Sequence, residues 1–245
     1  MHLNSCQGSY DLDQNIFRNL VINAFDKISY IIMKMKHLIL IAVSVILLAA
    51  CHKKNEIGIN LTQRPISEWY TVLKDSSMNS ADVFSEKNDA ILARGDFGYI
   101  RTTEIYFNYE LSVEWRWMNE ATNSGIFLNI YEDKIWPSCY EIQLLADHAG
   151  DIINSGEASS NEYEANLADT TIHSPRIIEK MNPSNEKPVG EWNNAEIIVK
   201  NDTITVWING ELQNRITGIT SKSGFIGLQS EGKDIVFRNV IVKPM

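Results

Sequence analysis

Between positions 109 and 147 the sequence sets carboxylates, amides and an arginine at alternate positions of three apolar runs. The first reads Tyr-Glu-Leu-Ser-Val-Glu-Trp-Arg-Trp (109–117), the second Ile-Phe-Leu-Asn-Ile-Tyr (126–131), the third Cys-Tyr-Glu-Ile-Gln-Leu-Leu-Ala-Asp (139–147). Successive strand side chains point to opposite faces, so each run sends one set inward and the other to an open face. Tyr109, Leu111, Val113, Trp115 and Trp117 are expected in a core, with Ile126, Leu128, Ile130, Tyr140, Ile142 and Leu144. If neighbouring runs align, Glu114, Arg116, Asn129, Glu141 and Gln143 share one polar face that also carries Phe127 and Tyr131. Carboxylates on such a face can move protons or stabilise charge, and amides can hold hydroxyl groups. Glu114 and Glu141 could act as a pair, at a separation the spacing does not set. Cys139 has no Cys-His motif around it and reads as a small apolar strand residue.

The elements that must position this face are strands almost throughout. Apolar alternation marks 69–73, 83–84, 90–93 and 99–103, then 195–200 and 203–208. Asn209-Gly210 is a strong hairpin signal, because a type I′ turn needs positive φ at both positions. Further strands are expected at 211–216, 224–230 and 235–242, and no amphipathic helix of useful length appears. About 40 residues after Asp147 lack periodicity, and carry His148, His173, Arg176, Glu179 and Lys180. A stretch of that kind suits a loop over a site, or equally a solvated insertion. The pattern is that of an all-β, antiparallel sandwich of one domain. The 245 residues are 44% hydrophobic and 22% charged, ordinary for a folded core, and the net charge of −9 argues against nucleic-acid binding.

Residues 33–50 have the layout of an export signal: Met-Lys-Met-Lys-His, then an uncharged run from Leu38 to Ala50. That run is short of the roughly 20 residues that span a bilayer. Leu48-Ala49-Ala50-Cys51 resembles the bacterial lipobox, which makes Cys51 the expected lipidated residue and 51–60 a tether. Residues 1–32 then read as an extension upstream of a true start at Met33 or Met35, and 61–245 as the functional domain. No Asp follows Cys51, which in lipoproteins resembling this one points to the outer membrane, with the lipid as membrane anchor.

The ordered segments Glu-Leu-Ser-Val-Glu-Trp-Arg (110–116), Asn-Ser-Gly-Ile-Phe (123–127), Tyr-Glu-Ile-Gln-Leu-Leu (140–145), Gly-Glu-Trp-Asn (190–193), Trp-Ile-Asn-Gly (207–210) and Gly-Leu-Gln-Ser-Glu-Gly (227–232), closed by Val-Phe-Arg-Asn-Val (236–240), resemble the 3-keto-disaccharide hydrolase family. The likeness covers 60–245. It implies a concanavalin-like jelly roll of two antiparallel sheets, and cleavage of glycosides already oxidised at sugar C3. The ketone acidifies the hydrogen at C2. A base removes it, the C1 substituent leaves by 1,2-elimination, and water adds back. A divalent cation is the cofactor such an enolate would use. Carried over position by position, the likeness points to Glu141 and Asp147 as catalytic residues, with Glu141 first choice for base or metal ligand; His148, next to Asp147, could bind metal or move protons with it, or the two could form a strand-end turn. The likeness points to Arg116, Asn123, Gln143, Trp192, Asn193 and Gln229, alongside Asn129 of the polar face, for substrate. Many relatives carry His where this chain has Glu231, which leaves the acid unassigned. The competing reading is a non-catalytic glycan-binding lipoprotein that uses Phe127, Tyr131 and Trp136 as a platform.

Overall fold

A computed structural model describes residue 27, residues 32–36 and residues 58–245. The chain splits into two compact units, Met1–Asn55 and Glu56–Met245. In the first, Lys27 and residues 32–36 are helical and exposed. The apolar run of the expected signal, Cys51, most of the expected extension and the tether up to residue 57 lie outside the described residues. Among the described residues no helix is long and apolar enough to cross a membrane.

The second unit is the all-β jelly-roll sandwich. Its strands are β1 (Ile59–Asn60), β2 (Tyr70–Leu73), β3 (Phe84–Lys87), β4 (Ala90–Ala93), β5 (Gly98–Arg101), β6 (Tyr106–Phe107), β7 (Tyr109–Trp117) and β8 (Gly125–Ile130). They continue with β9 (Cys139–Gln143), β10 (Ile152–Ser155), β11 (Ile177–Ile178), β12 (Asn193–Lys200), β13 (Thr203–Ile208), β14 (Glu211–Thr217), β15 (Ser223–Ser230) and β16 (Ile235–Pro244). Short helices α1 (Ser80–Val83) and α2 (Asn161–Ala168) are capped by Asn79 and Ser160, whose side chains accept backbone N–H bonds.

The first sheet runs β14-β13-β12-β7-β16-β4-β3, with β1 added on β16; the second runs β11-β10-β9-β8-β15-β5-β2, with β6 on β15. Every pairing is antiparallel. Tyr109, Leu111, Val113, Trp115 and Trp117 alternate into the core between the sheets, where they meet Ile126, Leu128, Tyr140, Ile142, Leu144, Ile226 and Leu228. The hairpin at Asn209-Gly210 has the positive φ values expected, 49° and 82°.

Three expectations change. β7 pairs with β12 and β16, whereas β8 pairs with β9 and β15. The segment between Trp117 and Gly125 therefore carries the chain from one sheet to the other, and Glu114 and Arg116 do not share a face with Glu141 and Gln143. Next, Asn129 has φ of 57°, a conformation Asn tolerates better than most residues. The alternation slips there. Asn129 turns inward, accepts from Tyr109 OH at 3.0 Å and donates to Ser221 O at 2.9 Å. Ile130, expected in the main core, instead joins Tyr99, Phe127 and Cys139 in a second cluster. Finally, the unpatterned stretch after Asp147 contains α2 and the strands β10 and β11, and the two strands extend the edge of the second sheet. These strands are too short, at four and two residues, to show a period.

Candidate active site

Two rows of residues cross the outer face of the second sheet. One runs Ile177, Ile153, Glu141, Phe127, Gly227, Arg101, Tyr70, each pair in register. The other holds Gln143 opposite Gly125, and Gln229 opposite Tyr99, which faces Val72. Leu228 pairs with Ile126, so Gln229 comes one step further along β15, at the level of Gly125. Ser124 Oγ donates to Gln229 O at 2.8 Å and locks these strands together.

Glu141 stands at the centre. Its residue is only 8% exposed, and no hydrogen bond or ion pair to its carboxylate occurs among the described residues. Burial, helped by the charge of Glu231, pushes its carboxyl up to about 8. A glycine makes room for it: a Cβ on Gly125 would sit 2.5 Å from Glu141 Oε1. Gln229 Nε2 donates to Glu231 Oε2 at 3.0 Å, while Gln229 Oε1 is buried without a partner. Gln143 Oε1 accepts from the Leu144 and Leu145 N–H groups, both at 3.0 Å. That fixes the amide, so its NH2 is the end left for a ligand. Asn123 adjoins the Gly232 turn and has a buried, unpartnered Oδ1.

The far side of this face is closed by residues 131–138. Arg101 binds Asp133 through Nε at 2.6 Å and Nη2 at 2.8 Å, and its guanidinium lies between Tyr70 (4.3 Å) and Phe225 (3.8 Å). Tyr99 OH donates to Lys134 O at 2.9 Å, and Trp136 tilts against Phe97 at 4.4 Å. Below this loop the second apolar cluster is sealed, and burial raises the Cys139 thiol well above its ordinary value, which suits a packing role. Phe127 is buried against Tyr99 at 5.3 Å, so the expected aromatic platform reduces to the exposed Tyr131 and Trp136.

The structure thus brings together Glu141, Gln143 and Gln229 of the expected site, with Asn123 at its end. The other expected residues fall elsewhere. Asp147 and His148 occupy an exposed turn, where Lys180 Nζ donates to Asp147 O at 2.7 Å and His148 Nδ1 meets Asp151 at 3.0 Å. The Asp147 charge raises Glu186, whereas the charge that raises Glu141 among the described residues is that of Glu231. Asn193 Oδ1 accepts from Lys187 N and Asn209 Nδ2, which ties the β12 entry to the Asn209-Gly210 hairpin. Arg116 and Trp192 lie on the outer face of the first sheet, and Asn129 lies inside. Sequence reasoning missed Glu231 as a member of the site and Gly125 as its cradle. The Gly-Leu-Gln-Ser-Glu spacing carried the first signal, since Gln229 and Glu231 are two apart at a strand end.

The 3-keto-alpha-glucoside-1,2-lyase-like domain model matches residues 63–243. A 3-keto-disaccharide hydrolase of Bacteroides thetaiotaomicron is 28% identical over 192 residues, covering 61% of this chain and 62% of that protein. The chain thus spans less than two thirds of that relative's length. Among solved structures, a candidate glycosyl hydrolase of Parabacteroides distasonis superposes with a TM-score of 0.54 at 18% identity, covering 74% of this chain and 90% of that one. A carbohydrate-binding module of Bacillus subtilis gives 0.52 at 10% identity, over 72% and 95%. At these identities the structural likeness concerns the concanavalin-like fold.

Proposed function

We infer the activity from one premise: this chain belongs to the 3-keto-alpha-glucoside-1,2-lyase-like family, whose model matches most of its length. The proposed reaction is cleavage of a glycoside oxidised at C3, by elimination across C1–C2 and hydration of the product. The observation that carries it is a buried Glu141, without a hydrogen-bond partner and with its carboxyl pushed up to about 8, beside a second carboxylate, Glu231, on a face lined with amides.

Two nearby carboxylates cannot both keep full charge in a dry setting, so one retains a proton. Burial selects Glu141 for that proton. Glu231, half-buried and held by Gln229, is then the partner that acts as base and removes the C2 hydrogen. Glu141 gives its proton to the departing C1 oxygen, and the electron pair of the C2–H bond becomes the C1–C2 double bond. In hydration the roles reverse: Glu141 takes a proton from water as its oxygen joins C1, and Glu231 returns one to C2. Gln143, its carbonyl occupied by two backbone N–H groups, offers its NH2 to the ketone oxygen on which negative charge gathers.

A divalent cation is also proposed as a cofactor. No group of three or more His, Cys, Asp or Glu suited to a metal occurs among the described residues. The available donors are oxygens: Glu231, the unpartnered Oε1 of Gln229, and Glu141 once its proton has been given up, a set that fits a hard cation. When bound, the cation would supply Lewis-acid stabilisation of the enolate. Export through a lipid on Cys51 to the outer membrane is proposed on sequence alone, and loss of lipid labelling in Cys51→Ala tests it.

The deciding experiment is turnover of a chromogenic 3-keto-glucoside by the wild type and by Glu141→Gln, with and without EDTA. Turnover that falls in the variant supports this reading. Equal turnover would remove Glu141 from the mechanism, and glycan affinity without turnover in any metal would favour a binding module.

A further inference from the structure

The outer face of the first sheet carries a groove unlike the site above. Register sets Arg116, Val236, Leu92 and Ser85 in one row across β7, β16, β4 and β3, and Glu114, Arg238, Ala90 and Lys87 in the next. All of these but Glu114, together with Glu86, Trp192, Arg94 and Met118, border a groove of about 680 Å³, within the range of small-ligand clefts. Ala90, Leu92 and Val236 give it an apolar floor. Lys87, Arg94, Arg116 and Arg238 ring it, although the whole chain carries a net charge of −9.

The neighbouring acids are already engaged. Glu114 takes Arg238 Nε at 2.6 Å and Asn239 Nδ2 at 3.1 Å, and Glu86 accepts from Ile66 N at 2.6 Å. Arg238 lies 3.8 Å and Arg116 4.7 Å over the Trp192 ring. That stacking occupies the tryptophan and holds the planar guanidiniums in place. Arg116 Nε is buried with no hydrogen-bond partner, and no carboxylate among the described residues forms an ion pair with this guanidinium, so its charge is left for a ligand at the groove it lines.

We propose that this groove binds an acidic glycan segment. Sugar rings lie with their C–H faces on the Ala90, Leu92 and Val236 floor, and carboxylate or sulfate groups meet the fork of Arg116 and the rim of Lys87, Arg94 and Arg238. A neutral sugar has less to gain here, because the aromatic face it would stack on is covered by arginine. Nucleic acid fits poorly, since its many phosphates would face a strongly acidic remainder.

Calorimetric titration of the whole chain with hexagalacturonate, a heparin hexasaccharide, maltohexaose and phosphatidylglycerol vesicles tests the site. One acidic hexamer should bind at least about tenfold more tightly than maltohexaose, with affinity falling as salt rises. The hexamer preferred identifies the anion as carboxylate or sulfate. Arg116→Gln should weaken acidic binding by about tenfold or more, and the exposed pair Lys87→Gln with Arg94→Gln by about three- to tenfold. Thermal melting establishes that each variant is folded; should Arg116→Gln not fold, the exposed pair decides. The proposal fails if maltohexaose binds equally well, if no hexamer binds, if neither variant weakens acidic binding, or if only the vesicles are captured. Turnover is not a readout, so the result is independent of the catalytic reading.

Discussion

Glu141 and Glu114 both sit mid-strand in alternating runs of the sequence, the third and the first, yet they meet opposite surroundings. Glu114 keeps a quarter of its side chain exposed and holds Arg238 at 2.6 Å. Glu141 is buried, lacks a cation, and has Glu231 as its charged neighbour. The paired carboxylate is neutralised in place and tied to a structural role in ordering Arg238 over Trp192. The unpaired one retains a proton near neutral pH and so has something to transfer. What separates them is the supply of compensating charge, and it differs between the two outer faces of one sandwich.

The sharpest way to break the comparison is Glu141→Gln. Loss of a positioned proton donor should lower kcat by about 10²–10⁴-fold in the chromogenic assay. Gly125→Ala should come next, since its Cβ would fall 2.5 Å from Glu141 Oε1 and push the carboxyl aside. A displacement on the order of 1 Å can cost about 10²-fold, so kcat should drop while circular dichroism stays that of an all-β fold.

pH sharpens it further. The folded chain holds the Glu141 proton up to about 8, against an ordinary value of 4.5, so between these limits the native state binds more protons than the unfolded state. Stability should therefore fall as pH rises through that window, by at most about 1.4 kcal/mol per pH unit from this residue. Urea unfolding at pH 5 and pH 8 in EDTA should show the decline, and Glu141→Gln should flatten it. Burial also raises Glu186, which leaves a residual slope in the same direction. The smallest effect is expected on the other face. Trp192→Leu removes the ring beneath two guanidiniums, roughly 0.5–1 kcal/mol each at a partly exposed site, and should lower Tm by a few degrees. An unchanged Tm would mean that the stacking contributes nothing to stability.

The alternation of Tyr109 to Trp117 was legible because a period of two needs only one side to be apolar, and the core took that side. Sheet membership was not legible, because alternation says which face a residue takes and nothing about which sheet. That is why Arg116 and Glu141 looked like neighbours. Asn129 escaped because one left-handed residue reverses the face taken by the next residues of its strand, and Asn adopts that conformation without announcing it. The centre of the site was readable in Glu141, Gln143 and Gln229 through the resemblance. Gly125 stood in the matched segment 123–127 without a role, since a missing side chain shows its purpose only once the carboxylate that fills the space is seen.

The two ladder pairs of β1, Ile59 with Val242 and Asn60 with Ile241, make the first strand a mechanical fuse. Tension on whatever precedes Gly58 reaches those pairs before it reaches Leu61, which is fully buried. Peeling β1 would release about 7 Å of slack at roughly 3.3 Å per residue, and leave the sandwich and both of its outer faces intact.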